Sequence, residues 1–199
     1  TLPTLYKDDD KEKGPKRNKG NRPMSKSVPI PSISVTYAQD GKSTSSNSLG
    51  MRPMQERAYQ KRGEQYLLIK SPPASGKSRA LMFIALDKLA NQKLKQAIIV
   101  VPERSIGASF QNEPLTEFGF WADWKVEPRW NLCDAPGADT NGKVDAVKKF
   151  LESDDKTLVC THATFRFAMD KFGAESFDDL LIAVDEIHHI TASPMNRLG

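Results

Sequence analysis

No run of about 18 apolar residues occurs in this 199-residue chain, so no transmembrane helix is expected. The N-terminus is polar and charged and lacks the apolar core of a secretory signal, which leads to the expectation of a cytoplasmic protein. Cysteine is scarce. Cys133 and Cys160 stand apart without metal-ligand spacing, and two reduced thiols are the expectation. No initiator Met heads the chain, which points to a piece of a longer protein or a processed product. Excess charge is also missing where it would matter. Residues 1–50 carry nine Lys/Arg against five Asp/Glu, whereas residues 51–199 carry twenty of each sign. The net charge of +4 therefore belongs to the first fifty residues, and any basic groove on the remainder must come from arrangement rather than surplus.

What is present centres on residues 65–89. Residues 66–69 (Tyr-Leu-Leu-Ile) form a short apolar run of the kind a strand buried on both faces shows. Pro72 and Pro73 cannot donate to a ladder, so the strand ends there. From Arg79 onward Leu81, Met82, Ile84, Ala85 and Leu89 recur at helical spacing. Between strand and helix lies Ser-Pro-Pro-Ala-Ser-Gly-Lys-Ser, close to the G-x-x-x-x-G-K-[ST] phosphate loop but with Ser71 in place of the first glycine. Ala74, Ser75, Gly76, Lys77 and Ser78 all keep backbone N–H donors at a helix N-terminus, where the dipole favours a phosphate. Lys77 is suited to reach the β- and γ-phosphates of ATP, and the Ser78 hydroxyl to ligate Mg²⁺. A second Gly-Lys-Ser, at Gly41-Lys42-Ser43, runs into a Ser/Thr/Asn stretch rather than a helix and is set aside.

Residues 96–101, 156–161 and 180–184 read as further inner strands. Strands alternating with helices argue for a parallel α/β sheet with right-handed crossovers, whose ligands sit at the carboxyl ends of the strands. The last of these strands ends in Asp185-Glu186-Ile187-His188-His189. Two adjacent acids there would be costly to bury without partners, and make chemical sense beside a metal and a phosphate. Asp185 is assigned to Mg²⁺ opposite Ser78, and Glu186 to orienting and deprotonating the attacking water.

Together with Arg52-Pro53-Met54-Gln55 ahead of the phosphate loop, these motifs resemble the first RecA-like domain of a DExH-type superfamily two helicase or translocase, over roughly residues 51–190. The resemblance implies an α/β, RecA-like P-loop NTPase domain with a mostly parallel central sheet flanked by helices on both faces. It implies that Gln55 pairs with adenine and that His188 senses the γ-phosphate. It also implies that Arg104, Ser105, Thr161 and Thr164 touch a nucleic-acid backbone, DNA being favoured over RNA. A second RecA-like domain with an arginine finger, worth about 10³–10⁵ in rate, is expected outside this chain, so the chain by itself should hydrolyse ATP poorly. Two rivals stay open: a P-loop switch or small-molecule phosphotransferase, and a degenerate domain that only binds a partner.

The domain is expected to span residues 51–199, behind a disordered or loosely attached basic tail at residues 1–50, a solvated tail or else an arm on nucleic acid, in which residues 30–37 could add an edge strand and residues 42–50 form a flexible linker. Residues 51–62 and 144–151 read as helices. The aromatics Phe110, Phe118, Phe120, Trp121, Trp124 and Trp130 are expected to fill core, with a strand near residues 124–132, stacking on bases being the alternative. His162 receives no role.

Overall fold

The structure, a computed structural model, describes residues 31–34, 46–134 and 140–186. The element order is β1 (Ser32–Ser34), α1 (Pro53–Gln60), β2 (Leu68–Lys70), α2 (Lys77–Asn91), β3 (Gln96–Val101), α3 (Thr140–Leu151), β4 (Thr157–Thr161), α4 (His162–Phe172) and β5 (Leu180–Val184). Three short 3₁₀ turns, Arg104–Phe110, Leu115–Phe118 and Pro128–Trp130, occupy the stretch between β3 and α3.

Every strand pairing among the described residues is parallel, as a chain alternating strands and helices requires. One ladder runs β4-β3-β5 and the other β1-β2. β3 is central in its ladder and buried along its whole length, so both of its faces are covered and its Ile and Val residues need no polar alternation. Burial of side chains such as Ile98 and Ile99, both fully buried, is worth about 1.5–3 kcal/mol each. Gln96 at the start of β3 is also fully buried, and its amide donates to the carbonyls of Phe150 and Asp155 at 2.7 and 2.9 Å, tying the end of α3 to the sheet. The register sets Val101 beside Thr161 and Val100 beside Val184, which brings the ends of β4 and β5 to the same edge of the sheet. The Asp185 amide continues the ladder, donating to the Val100 carbonyl at 2.8 Å.

Three expectations need correction. The first concerns β2, which begins two residues late and is only half-buried, with Tyr66 exposed. Among the described residues its ladder partner is the short β1, so the apolar run at 66–69 marks a strand that is only partly covered.

The second concerns residues 124–132, which form no strand. Trp124 and Val126 are buried and Lys125 and Glu127 exposed, so the alternation in sequence is real. It records one-sided burial of an extended segment, however, and Pro128 supplies no donor for a ladder. The segment makes the single bridges Glu113 to Trp124 and Asn131 to Val159, and Thr157 of β4 donates to the Lys125 carbonyl, but no ladder forms. Phe110, Phe120, Trp124 and Trp130 are core, as expected, whereas Phe118 and Trp121 are about half exposed.

The third concerns the turn before α1. Asn47 accepts from the amides of Leu49 and Met51 at 3.0 and 2.9 Å, and Met51 is fully buried. A Cβ at Gly119 would lie 2.2 Å from the Ser48 carbonyl oxygen, so the two backbones meet closely. Residues 46–50 thus form a fixed turn against the body of the domain, where a linker was expected.

Candidate nucleotide site

The loop between β2 and α2 is shaped by two left-handed residues, Ala74 at φ 58° and Gly76 at φ 87°. Gly76 caps α2 without a side chain, so the first turn of the helix presents backbone N–H groups to whatever sits before it. Ser71, where the common loop pattern has glycine, accepts a 2.8 Å hydrogen bond from the Ser75 hydroxyl. Serine at this position therefore closes the base of the loop instead of distorting it.

Gln55 reaches this loop from α1. Its amide nitrogen donates to the Gly76 carbonyl at 2.9 Å and its oxygen accepts from the Arg52 amide at 2.8 Å. The side chain is nearly fully buried, which excludes the solvent-facing position that a lone glutamine on a surface helix would take. One lone pair and one N–H of the amide remain for a ligand. α1 is held to α2 by a buried polar cluster, in which Asp87 accepts from Tyr59, Asn91 and Gln92 and pairs with Arg62 at 3.2 Å. Burial alone would raise the Asp87 carboxyl, but those hydrogen bonds and the Arg62 charge outweigh it and leave the group below its ordinary range.

From the other side β5 delivers Asp185 and Glu186. Lys77, at the start of α2, donates to Glu186 at 2.6 Å across 109 residues of sequence. Asp185 is buried, and burial is the largest influence raising its carboxyl pKa; the adjacent Lys77 opposes this and Glu186 adds to it. Glu186 itself has φ 54°, a left-handed conformation uncommon for a side chain with a Cβ. His162, the first residue of α4, has Nε2 2.9 Å from the Asp185 carbonyl oxygen. A carbonyl only accepts, so the contact requires the proton on Nε2.

Gln55, Ala74, Ser75, Gly76, Lys77, Ser78, Asp185 and Glu186 all line one cavity of about 760 Å³, within the ~300–1,000 Å³ range of small-ligand sites. Hydroxyl and carboxylate oxygens are the donor types Mg²⁺ takes, and Ser78 and Asp185 border the same space. The donor set therefore fits that ion.

The four residues expected to hold nucleic acid lie elsewhere. Arg104 and Ser105 are exposed at the end of β3; Arg104 donates to the Cys133 carbonyl at 2.8 Å and Ser105 to Glu103 at 3.4 Å. Thr161 is the N-cap of α4 and accepts from the Thr164 amide at 3.3 Å. Thr164 is buried, its hydroxyl 3.2 Å from that of Thr161. Its role is to help close the helix start, and the expected contact from Thr164 is withdrawn. His188 lies outside the described residues. Sequence reasoning missed His162, although it directly follows β4 and parallel pairing brings β4 and β5 to one edge of the sheet. It also missed Arg79 and Glu113 on the cavity wall and did not place Phe118 there, because a turn closing over a pocket has no periodicity to betray it.

Residues 52–197 match the protein family described as DEAD/DEAH box helicase. Over 167 residues the chain is 56% identical to the Bacillus subtilis (strain 168) protein named "Putative ATP-dependent helicase YeeB". The match covers 84% of this chain and 27% of that relative, so the chain spans about a quarter of the relative's length. No solved structure matches the chain.

Proposed function

This chain belongs to the DEAD/DEAH box helicase family, and from that premise we propose that it is the ATP-binding and ATP-hydrolysing domain of a nucleic-acid translocase, acting on DNA in preference to RNA. The observation that carries the reading is the convergence of Lys77, Ser78, Asp185 and Glu186 on one cavity at the N-terminus of α2. The triphosphate lies on the amides of Ala74 to Ser78, with Lys77 on its outer phosphates. Ser78 and Asp185 would hold Mg²⁺, which when bound would neutralise developing charge on the phosphates. Asp185, which burial pushes toward its neutral form, would be favoured as the carboxylate beside that ion. Glu186 takes the proton of the attacking water. Its pairing with Lys77 must open for either to act. A partly exposed pair of this kind is worth about 1 kcal/mol or less, so a bound triphosphate can replace it. Gln55 uses its remaining lone pair and N–H on the adenine edge.

In this reading the nucleic-acid backbone crosses the carboxyl ends of the strands past Arg104, Ser105 and Thr161, and His188 relays the nucleotide state toward it. DNA is preferred because the Asp-Glu-Ile-His-His sequence is most similar to that of DNA translocases. A second RecA-like domain completes the motor. ATP turnover by the full-length protein, measured alone, with single-stranded DNA and with RNA, tests the whole. Lys77→Ala is expected to weaken Mg²⁺-ATP binding, and Glu186→Gln to keep binding while losing turnover. Equal ATP affinity in wild type and Lys77→Ala would remove the phosphate-loop assignment, and stimulation by RNA alone would reverse the substrate preference.

A further inference from the structure

Phe118 is a large apolar side chain left half exposed, 51% by area, whereas most of the aromatic side chains among the described residues are buried. It lies on the wall of the nucleotide cavity and is the sole aromatic among the described residues that line it. Its position is fixed from three sides. Leu115, at the start of the same 3₁₀ turn, is buried in the core, and Gly119 ends the turn in the left-handed conformation. The backbone of Phe118 is so close to the turn before α1 that a Cβ on Gly50 would stand 2.5 Å from the Phe118 carbonyl oxygen. The ring itself is held by Arg79, whose guanidinium carbon lies 4.8 Å from the ring centroid. Arg79 is anchored in turn by Glu113 at 3.1 Å, and Glu113 exchanges backbone hydrogen bonds with the fully buried Trp124. Arg79 directly follows the Ser78 assigned to the metal, so the ring is tied to the first turn of α2.

A half-exposed aromatic held this firmly at the mouth of a phosphate site suits one ligand feature, the flat face of a nucleobase. We propose that Phe118, backed by Arg79, is the platform on which the base of the bound nucleotide stacks. The inference rests on the phosphate-loop reading and extends it. Stacking is indifferent to base identity because every base has a π-face, so Phe118 supplies affinity while Gln55 supplies the choice of adenine.

The test is calorimetry on the full-length protein with Mg²⁺, titrating ATP, GTP and inorganic tripolyphosphate into wild type, Phe118→Ala and Phe118→Trp. Phe118→Ala is expected to weaken ATP and GTP by a similar factor, roughly 5- to 150-fold, and to leave tripolyphosphate within about twofold. Phe118→Trp should restore nucleotide binding, with indole emission quenched by ATP beyond any quenching in wild type and unaffected by tripolyphosphate. Unchanged ATP affinity in Phe118→Ala would overturn the platform and leave the phosphate loop standing. Equal loss for all three ligands would show that Phe118 only shapes the loop, which also overturns it. A wild type that binds neither ATP nor tripolyphosphate would remove the phosphate-loop reading and the platform together.

Discussion

Gly76 is the point at which α1 and the phosphate loop constrain each other, and the consequence is a measurable coupling. Replacing it with alanine has two costs. The residue sits at φ 87°, where a Cβ meets the following carbonyl, for about 1–2 kcal/mol. The new Cβ would also stand 2.4 Å from Gln55 Nε2 and 3.4 Å from its Cδ. An exposed glutamine would swing away, but Gln55 is 2% exposed and held at both ends of its amide, so it moves only by giving up those hydrogen bonds. Each is worth about 0.5–1.5 kcal/mol, which brings Gly76→Ala to roughly 2–5 kcal/mol. Gln55→Ala loses the same two bonds and should cost about 1–3 kcal/mol. In the double variant the clash is gone and the bonds cannot be lost twice. The combined cost should fall short of the sum by about 1–3 kcal/mol, because the two bonds are counted once, which leaves the backbone strain plus their loss. Denaturant unfolding of the four proteins closes the cycle. Additivity within about 0.5 kcal/mol would refute the argument, since it would mean that Gln55 and Gly76 do not touch.

Two further outcomes follow from the same geometry. The folded-state pKa of Asp185 is raised, mainly by burial, so its ionisation opposes folding: the stability it contributes is full below the ordinary carboxylate pKa and is lost as pH rises through the raised value. Asp185→Asn should therefore melt at or above wild type near neutral pH in the absence of Mg²⁺, the advantage vanishing in acid; a variant that melts lower at neutral pH and equally in acid would contradict this. A protein beginning at Met51 loses the β1 partner of β2 and the turn held by Asn47, so its melting temperature should fall by several degrees, and an unchanged melting temperature would return residues 31–50 to the status of a loose tail.

Local chemistry wrote much of this molecule into its sequence. Glycine at a helix start, lysine and serine directly after it, and two acids at the end of an apolar strand can be read without a structure, because each acts through its own backbone position. The parallel pairing was likewise legible, since alternating strands and helices of these lengths admit few other connections. The limits of the strands were less so. β2 looked buried because an apolar run states only that water is avoided, not which neighbour excludes it, and the alternation at residues 124–132 described burial on one side without supplying a ladder partner. Burial and partners depend on segments distant in sequence. Only the fold decided that Gln55 would be enclosed by the loop, that Thr164 would be buried in closing a helix, and that His162 would reach the Asp185 carbonyl. Only the fold, too, left Phe118 half uncovered beside the phosphate loop while Trp124, six residues on, became fully buried: the chain turns between them at the left-handed Gly119, and only the second ring meets the core.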